Sequence, residues 1–181
     1  GVSVSNAGVA TITNTGSIAG TGGNGGPTAN FFDLPGRPGM GIGISVSSGT
    51  LGSLENNAKA TISGIGGNVQ SAGAFFAPGG AATGVSIESS NVQSIQNAGT
   101  ISATGGSGRG GTLPGTAVGG GAIGISIAGS TVGTVANTGT LTASSPGGFS
   151  TGINVQNSTV DRIDNFGTIS AGTAISISAD S

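Results

Sequence analysis

The stretch that decides the fold is Gly124–Ala143, which reads GISIAGSTVGTVANTGTLTA. Its short runs alternate apolar residues, mostly β-branched, with small polar ones, and an asparagine and a glycine precede the last run. The same residue types recur at the same offsets in segments that begin at Val2, Val85 and Ile153. A further copy begins at Ile44 and has two extra residues before its last run. The chain is therefore organised as an internal repeat.

The repeat predicts short strands. Residues two apart in each run share one face of a strand, and runs of three or four residues are too short for helices. Interior glycines and frequent β-branched residues also disfavour helix. A period of 20–45 residues built of strands alone is typical of a parallel β-solenoid.

We therefore predict an all-β fold, a single-stranded parallel β-helix (β-solenoid) of about five to six coils, as one domain over residues 1–181. Equivalent residues should stack about 4.8 Å apart and form an apolar core column. The coils are expected to begin near Val2, Ile44, Val85, Ile125, Ile153 and Ile175.

Three long glycine-rich inserts, at about 20–41, 64–83 and 103–122, separate the first four coils. They should leave the same corner of each coil and lie on one side, as insertions in repeats usually do. We expect the segments Gly22–Gly26 and Gly105–Gly108 to be flexible. The apolar insert residues either cover a flank of the coil or form an exposed strip that contacts a subunit or ligand. These residues are Phe31, Phe32, Phe75, Phe76 and Leu113.

One asparagine recurs in every full coil. It lies two residues after an apolar residue, so the two side chains should share one face of the strand. The five are Asn14, Asn56, Asn97, Asn137 and Asn165. A buried amide without a hydrogen bond costs about 1–3 kcal/mol, but stacked amides can bond one another, as in fibre ladders. We predict an inward ladder; the alternative is a set of surface turns. The glycine two places later should adopt positive φ or permit close stacking.

Hydroxyl residues flank the last apolar residue of the repeat on its outward side. The set is Thr100, Ser102, Thr140, Thr142, Thr168 and Ser170. Stacked, they would form a flat array that resembles the Thr-x-Thr faces of ice-binding solenoids. The alternative is the ordinary preference of Thr for solvent-facing strands.

The composition argues against several functions. Charged residues make up 6% of the chain and the net charge is −2, which leaves little to bind nucleic acid or anionic lipid. No apolar run is long enough to cross a membrane. His, Cys and Tyr are absent, so the common bases, nucleophiles and metal ligands are missing. We predict no enzyme activity and no cofactor or metal site.

The carboxylates that a glycosidase would need are mostly scattered over different coils. They are Asp33, Glu55, Glu88, Asp161, Asp164 and Asp180. Only Asp161 and Asp164 are close in sequence, with Arg162 between them, and we interpret this group as a solvated charged corner.

The repeated phrase resembles the passenger-domain repeats of bacterial autotransporters and related large surface adhesins. The resemblance rests on Gly84–Ile87 with Ile95–Ser102 and on the matching segments 124–142 and 152–170. It implies a right-handed parallel β-helix, export across a Gram-negative envelope, scarce cysteine and a role as stalk or adhesive surface. We expect the chain to be a segment of something longer.

The expected function is therefore a non-catalytic structural or adhesive segment of an exported bacterial surface protein or extracellular fibre. Its partners would be neighbouring coils, identical subunits end to end, or a host or matrix glycan or protein. The alternatives are a ligand-binding face for glycan or ice and a self-assembling filament subunit. A polysaccharide-active enzyme is the remaining class.

Overall fold

The computed structural model describes residues 1–26, 36–70, 77–109 and 118–179. These residues form sixteen strands and no helix, and every strand pairing is parallel. Each coil contributes one strand to each of three sheets, so neighbours within a sheet are three strands apart in sequence. The predicted parallel β-solenoid is confirmed.

The first sheet has six strands and the other two have five each within the described residues. The first contains β1 (Val2–Ser5), β4 (Gly41–Ser47), β7 (Ala82–Glu88), β10 (Ala122–Ala128), β13 (Ser150–Gln156) and β16 (Thr173–Ser178). The second contains β2 (Gly8–Asn14), β5 (Thr50–Asn56), β8 (Asn91–Asn97), β11 (Thr131–Asn137) and β14 (Thr159–Asn165). The third contains β3 (Ser17–Thr21), β6 (Thr61–Ile65), β9 (Thr100–Thr104), β12 (Thr140–Ser144) and β15 (Thr168–Ser170).

The register follows the sequence repeat. The residues expected to begin the coils pair in order from Val2 through Ile175 as Cα partners in the first sheet. Ile18 pairs with Ile62 despite the two extra residues of the second coil. Apolar side chains of equal offset therefore lie over one another, and so do the asparagines of the five full coils.

Many strands are longer than the expected runs of three or four residues. β11 is continuous over seven residues, and within it Val132, Val135 and Asn137 are buried. Val132 and Val135 are three apart, so Gly133 and Thr134 both lie outside and strict alternation is broken within the strand. The expectation was wrong here because an interruption of the period-two pattern does not end this strand; the strand continues with its ladder intact.

The core depends on stacking. Side chains of the middle coils, such as Ile87, Ile95 and Ile101, are completely buried. Equivalent residues of the first coil, among them Val9 and Ile12, are only partly buried. This difference is expected for a repeat architecture, in which each unit buries its apolar residues against its neighbours.

A glycine column keeps the first and third sheets close. A Cβ on Gly124 would lie 2.9 Å from Cγ of Leu141 and 2.6 Å from the carbonyl oxygen of Gly152. Gly43 and Gly84 are equally crowded by the Ile side chains of their own coils. The glycine before the start of the second to fifth coils is therefore needed for packing of the last apolar residue of the repeat.

Candidate interaction faces

The repeated asparagines form one hydrogen-bonded column at the corner between the second and third sheets. In each pair of successive coils, Nδ2 of one asparagine donates to Oδ1 of the next. The N···O distances are 2.9 Å for Asn14 to Asn56, 2.8 Å for Asn56 to Asn97, and 2.7 Å both for Asn97 to Asn137 and for Asn137 to Asn165. Each of these donors also reaches a backbone carbonyl of the next coil's third strand, as Asn97 does with Thr140 at 3.1 Å. The column is buried except at Asn165, which is exposed. It joins both successive coils and adjacent sheets.

The glycine two residues after the asparagine, present in four of the five full coils, does not adopt positive φ, and it allows close stacking at Gly99, Gly139 and Gly167. A Cβ on Gly139 would collide with the carbonyl oxygen of Gly99, whereas one on Gly16 would meet nothing. In the second coil Ala60, which is completely buried, takes this place. Its backbone carbonyl accepts from the N–H of Thr100, as that of Gly99 accepts from the N–H of Thr140. Lys59, at φ 70°, accommodates the extra residues.

A second polar column, which the sequence analysis missed, lies at the corner between the first and second sheets. The hydroxyls of Ser90, Ser130 and Ser158 each donate to the carbonyl two residues earlier, at 2.6–2.8 Å. Each Oγ also accepts a backbone N–H from the coil before it, for example Ser90 N to Ser130 Oγ at 3.0 Å. The constant offset of these serines from the coil starts was the available signal.

In every full coil the residue before this position, which is serine in three coils, Ala7 in the first and Gly49 in the second, turns the corner with a left-handed backbone. The five residues are Asn6 (φ 52°), Ser48 (φ 52°), Ser89 (φ 48°), Gly129 (φ 56°) and Asn157 (φ 48°). This region is sterically restricted for residues with a Cβ. A hydrogen bond to the next coil stabilises this conformation in each of the five residues. For example, the backbone N–H of Ser89 donates to the carbonyl oxygen of Ala128 at 3.0 Å.

A shallow groove of about 510 Å³ runs along this corner. Its floor is the small-residue column that includes Gly49 and Ser90, and exposed polar side chains border it on both sides. The lining residues are Asn6, Ala7, Gly8, Ser48, Gly49, Thr50, Ser89, Ser90, Asn91, Gly129 and Thr131. We call it the first-corner groove.

The predicted hydroxyl residues lie in two columns on the third sheet. Thr100, Thr140 and Thr168 are Cα partners in one, and Ser102, Thr142 and Ser170 are partners in the other. All six are at least partly exposed. Thr61 extends the first column and its Oγ1 donates to Ser17 Oγ at 3.0 Å. The array is thus built of side chains of mixed length.

The predicted insert residues Phe31, Phe32, Phe75, Phe76 and Leu113 lie outside the described residues. The bases of the inserts are described, and the expectation of flexible glycine segments is wrong for them. A zigzag of backbone hydrogen bonds of 2.7–3.0 Å links glycines of departing and returning segments. Its order is Gly23, Gly39, Gly67, Gly80, Gly106 and Gly120.

Close backbone approach explains why this zigzag is glycine. A Cβ on Gly67 would collide with the carbonyl oxygen of Gly23, and one on Gly106 with that of Gly67. Side chains support the stack as well, since the backbone N–H of Asn68 donates to Oδ1 of Asn24 at 2.9 Å. The glycine-rich composition suggested flexibility because packing of backbone against backbone produces no recognisable pattern of side chains in the sequence.

Two of the charged residues that the structure describes form an ion pair on the second sheet. Arg162 Nε lies 2.8 Å from Asp164 Oδ2, and the arginine side chain is 68% exposed. Asp161 is exposed, and Asp33 and Asp180 lie outside the described residues. No group of three His, Cys, Asp or Glu that could hold a metal ion occurs among the residues described. In the same part of the chain there is no helix of the length and apolarity that a membrane span requires.

The register, the core column and the two polar corners define the class of protein as a parallel β-solenoid repeat protein. Comparisons with protein-family models, with curated proteins and with solved structures found no match for this chain.

Proposed function

We propose that the chain is a non-catalytic structural section of an exported bacterial surface protein or extracellular fibre. The observation that carries the proposal is the continuous asparagine ladder from Asn14 to Asn165. Together with the serine column and the glycine zigzag, it holds successive coils together at both polar corners and at the bases of the inserts. Such an arrangement supports a rigid spacer, because every coil is fixed to its neighbours through side chains as well as backbone.

The surface supports a location outside the cell. Outward positions carry Ser, Thr, Asn and Gln with few charges. The resemblance of the repeats to autotransporter passenger domains points in the same direction. The cell-surface location rests on these two arguments.

Labelling of intact cells tests the location. An antibody raised against this section should bind non-permeabilised cells of the organism that produces the protein. The matched control is an antibody against a cytoplasmic protein, which should bind only after permeabilisation. If this section also becomes accessible only after permeabilisation, the proposed location is wrong.

An activity assay tests the absence of catalysis. The purified chain, incubated with a panel of neutral and acidic polysaccharides, should release no reducing ends above the buffer control. If it does release them, and if the double variant Asp161→Asn/Asp164→Asn abolishes the release, the chain is an enzyme and the proposal fails. Electron microscopy of the same preparation at several concentrations tests the filament alternative, for which long fibres would be expected.

A second candidate is an ice-binding face on the third sheet, favoured by the register of Thr100, Thr140 and Thr168. The mixed lengths of the neighbouring column, which contains Ser102 and Ser170, favour ordinary solvent exposure instead. Thermal hysteresis of the purified chain decides: a freezing point lowered below the melting point supports ice binding, and its absence removes this candidate.

A further inference from the structure

The first-corner groove has the form of a binding site for a long, thin ligand. Its floor is recessed at Ser90, which is 6% exposed. Its borders are exposed side chains that repeat from coil to coil and are Cα partners, as are Thr50 with Asn91 and Asn91 with Thr131. The groove crosses four coils, and their spacing gives it a length of about 14 Å parallel to the solenoid axis.

Most backbone N–H groups along the groove are already hydrogen-bonded within the solenoid. The N–H groups of Asn6, Ser48 and Ser89 each bond to a carbonyl oxygen of the next coil, and those of Thr50 and Asn91 bond to a carbonyl oxygen of the preceding one. The floor hydroxyls are also used, since Ser90 Oγ donates to Glu88 O at 2.7 Å. Strand addition, which needs free main-chain groups, is therefore disfavoured.

The border side chains are the groups that remain for recognition. The side-chain polar atoms of Thr50, Asn91 and Thr131 make no hydrogen bond to the other residues that the structure describes, and all three are exposed. Hydroxyl and amide groups donate and accept equally well, and no charged residue lines the groove. These groups match a ligand that is uncharged and rich in hydroxyls.

We propose that the first-corner groove binds a neutral, linear glycan whose chain lies parallel to the solenoid axis. The coil spacing of about 4.8 Å is close to the length of one sugar residue in an extended β-1,4-linked chain. Successive sugars would then meet equivalent Thr and Asn side chains in successive coils. This inference goes beyond the structural role proposed above and does not depend on where the protein is located.

Titration calorimetry of the purified chain with neutral β-1,4-linked hexasaccharides of glucose, mannose and xylose tests the proposal. At least one should bind, and hexagalacturonate, which is linear but charged, should bind more weakly. The variant Thr50→Val/Thr131→Val removes two border hydroxyls and preserves shape and strand propensity. It should weaken binding about tenfold, the effect expected from two lost hydrogen bonds.

The control variant is Thr100→Val/Thr140→Val, which makes the same change on the third sheet. It should bind as the unmodified chain does, and both variants should keep the unmodified melting temperature. Binding of none of the three neutral hexasaccharides would overturn the proposal. So would an equal loss in the control variant, or tighter binding of hexagalacturonate.

Discussion

Replacing Asn97 by leucine would break the ladder at its centre. The Asn97 side chain makes three hydrogen bonds: it accepts from Asn56 Nδ2 at 2.8 Å and donates to Asn137 Oδ1 at 2.7 Å and to Thr140 O at 3.1 Å. Asn97 is 2% exposed, so water cannot replace these partners without a change in packing. The substitution tests whether the column stabilises the fold.

The expected loss in the free energy of unfolding can be estimated from these hydrogen bonds. A typical intramolecular hydrogen bond contributes about 1 kcal/mol net, and a buried group left without its partner costs about 1–3 kcal/mol. Asn56 Nδ2 keeps its bond to Thr100 O at 3.1 Å, whereas Asn137 Oδ1 loses the donor from the preceding coil. We expect the free energy of unfolding to fall by about 2–3 kcal/mol. For a chain of this size that corresponds to a melting temperature lower by roughly 4–12 °C.

The matched control is Asn165→Leu, at the exposed member of the column. Asn165 accepts one bond from Asn137 at 2.7 Å and donates weakly to Gly167 O at 3.4 Å, and Asn137 Nδ2 retains Thr168 O at 3.3 Å. Its loss should cost under about 1 kcal/mol. Urea and thermal unfolding, followed by far-ultraviolet circular dichroism, measure both variants. An unchanged midpoint for Asn97→Leu, or an equal loss for Asn165→Leu, would refute the reasoning.

Three further substitutions test the other columns by the same unfolding measurements. Gly67→Ala should destabilise the chain because its Cβ would collide with the Gly23 carbonyl oxygen. The control Gly23→Ala should leave stability unchanged because no other atom lies within 4 Å of that Cβ. Equal unfolding midpoints for the two variants would contradict this prediction. Gly124→Ala should lower stability by about 1–3 kcal/mol through overpacking against Leu141, and a wild-type midpoint would show that the two sheets can separate without cost. Ser130→Ala removes a hydroxyl that donates at 2.8 Å and accepts at 3.0 Å, so we expect a loss of about 1–2 kcal/mol; no loss would make the serine column incidental.

The repeat predicts the fold because stacking turns sequence offsets directly into spatial columns. Ile44, Val85 and Ile125 have equal offsets in their coils and are Cα partners in the structure. The asparagine column follows from the same logic, since residues of equal offset and inward parity must meet. This is why the repeat pattern of the sequence alone predicts the register of the core strands.

The features that the repeat pattern does not predict depend mostly on backbone geometry. The two successive outward residues Gly133 and Thr134 interrupt the alternation while the ladder stays continuous, so in the sequence the strand resembles two runs. The glycine zigzag from Gly23 to Gly120 is a contact of main chain with main chain, which composition alone cannot distinguish from a flexible linker. The first-corner groove was missed because its floor consists of small residues that carry no apolar signal.

The direction of the asparagine ladder has a consequence for how the chain could change over evolutionary time. Each of the three inner rungs, Asn56, Asn97 and Asn137, accepts at Oδ1 from the coil before it and donates from Nδ2 to the coil after it. Duplication or loss of one whole coil would rejoin compatible rungs, whereas an excision that removes part of the stacked strands would place unlike residues over one another. The spacing between coil starts already differs while the ladder stays intact, so insert length can drift freely and the number of coils can change only in integer steps.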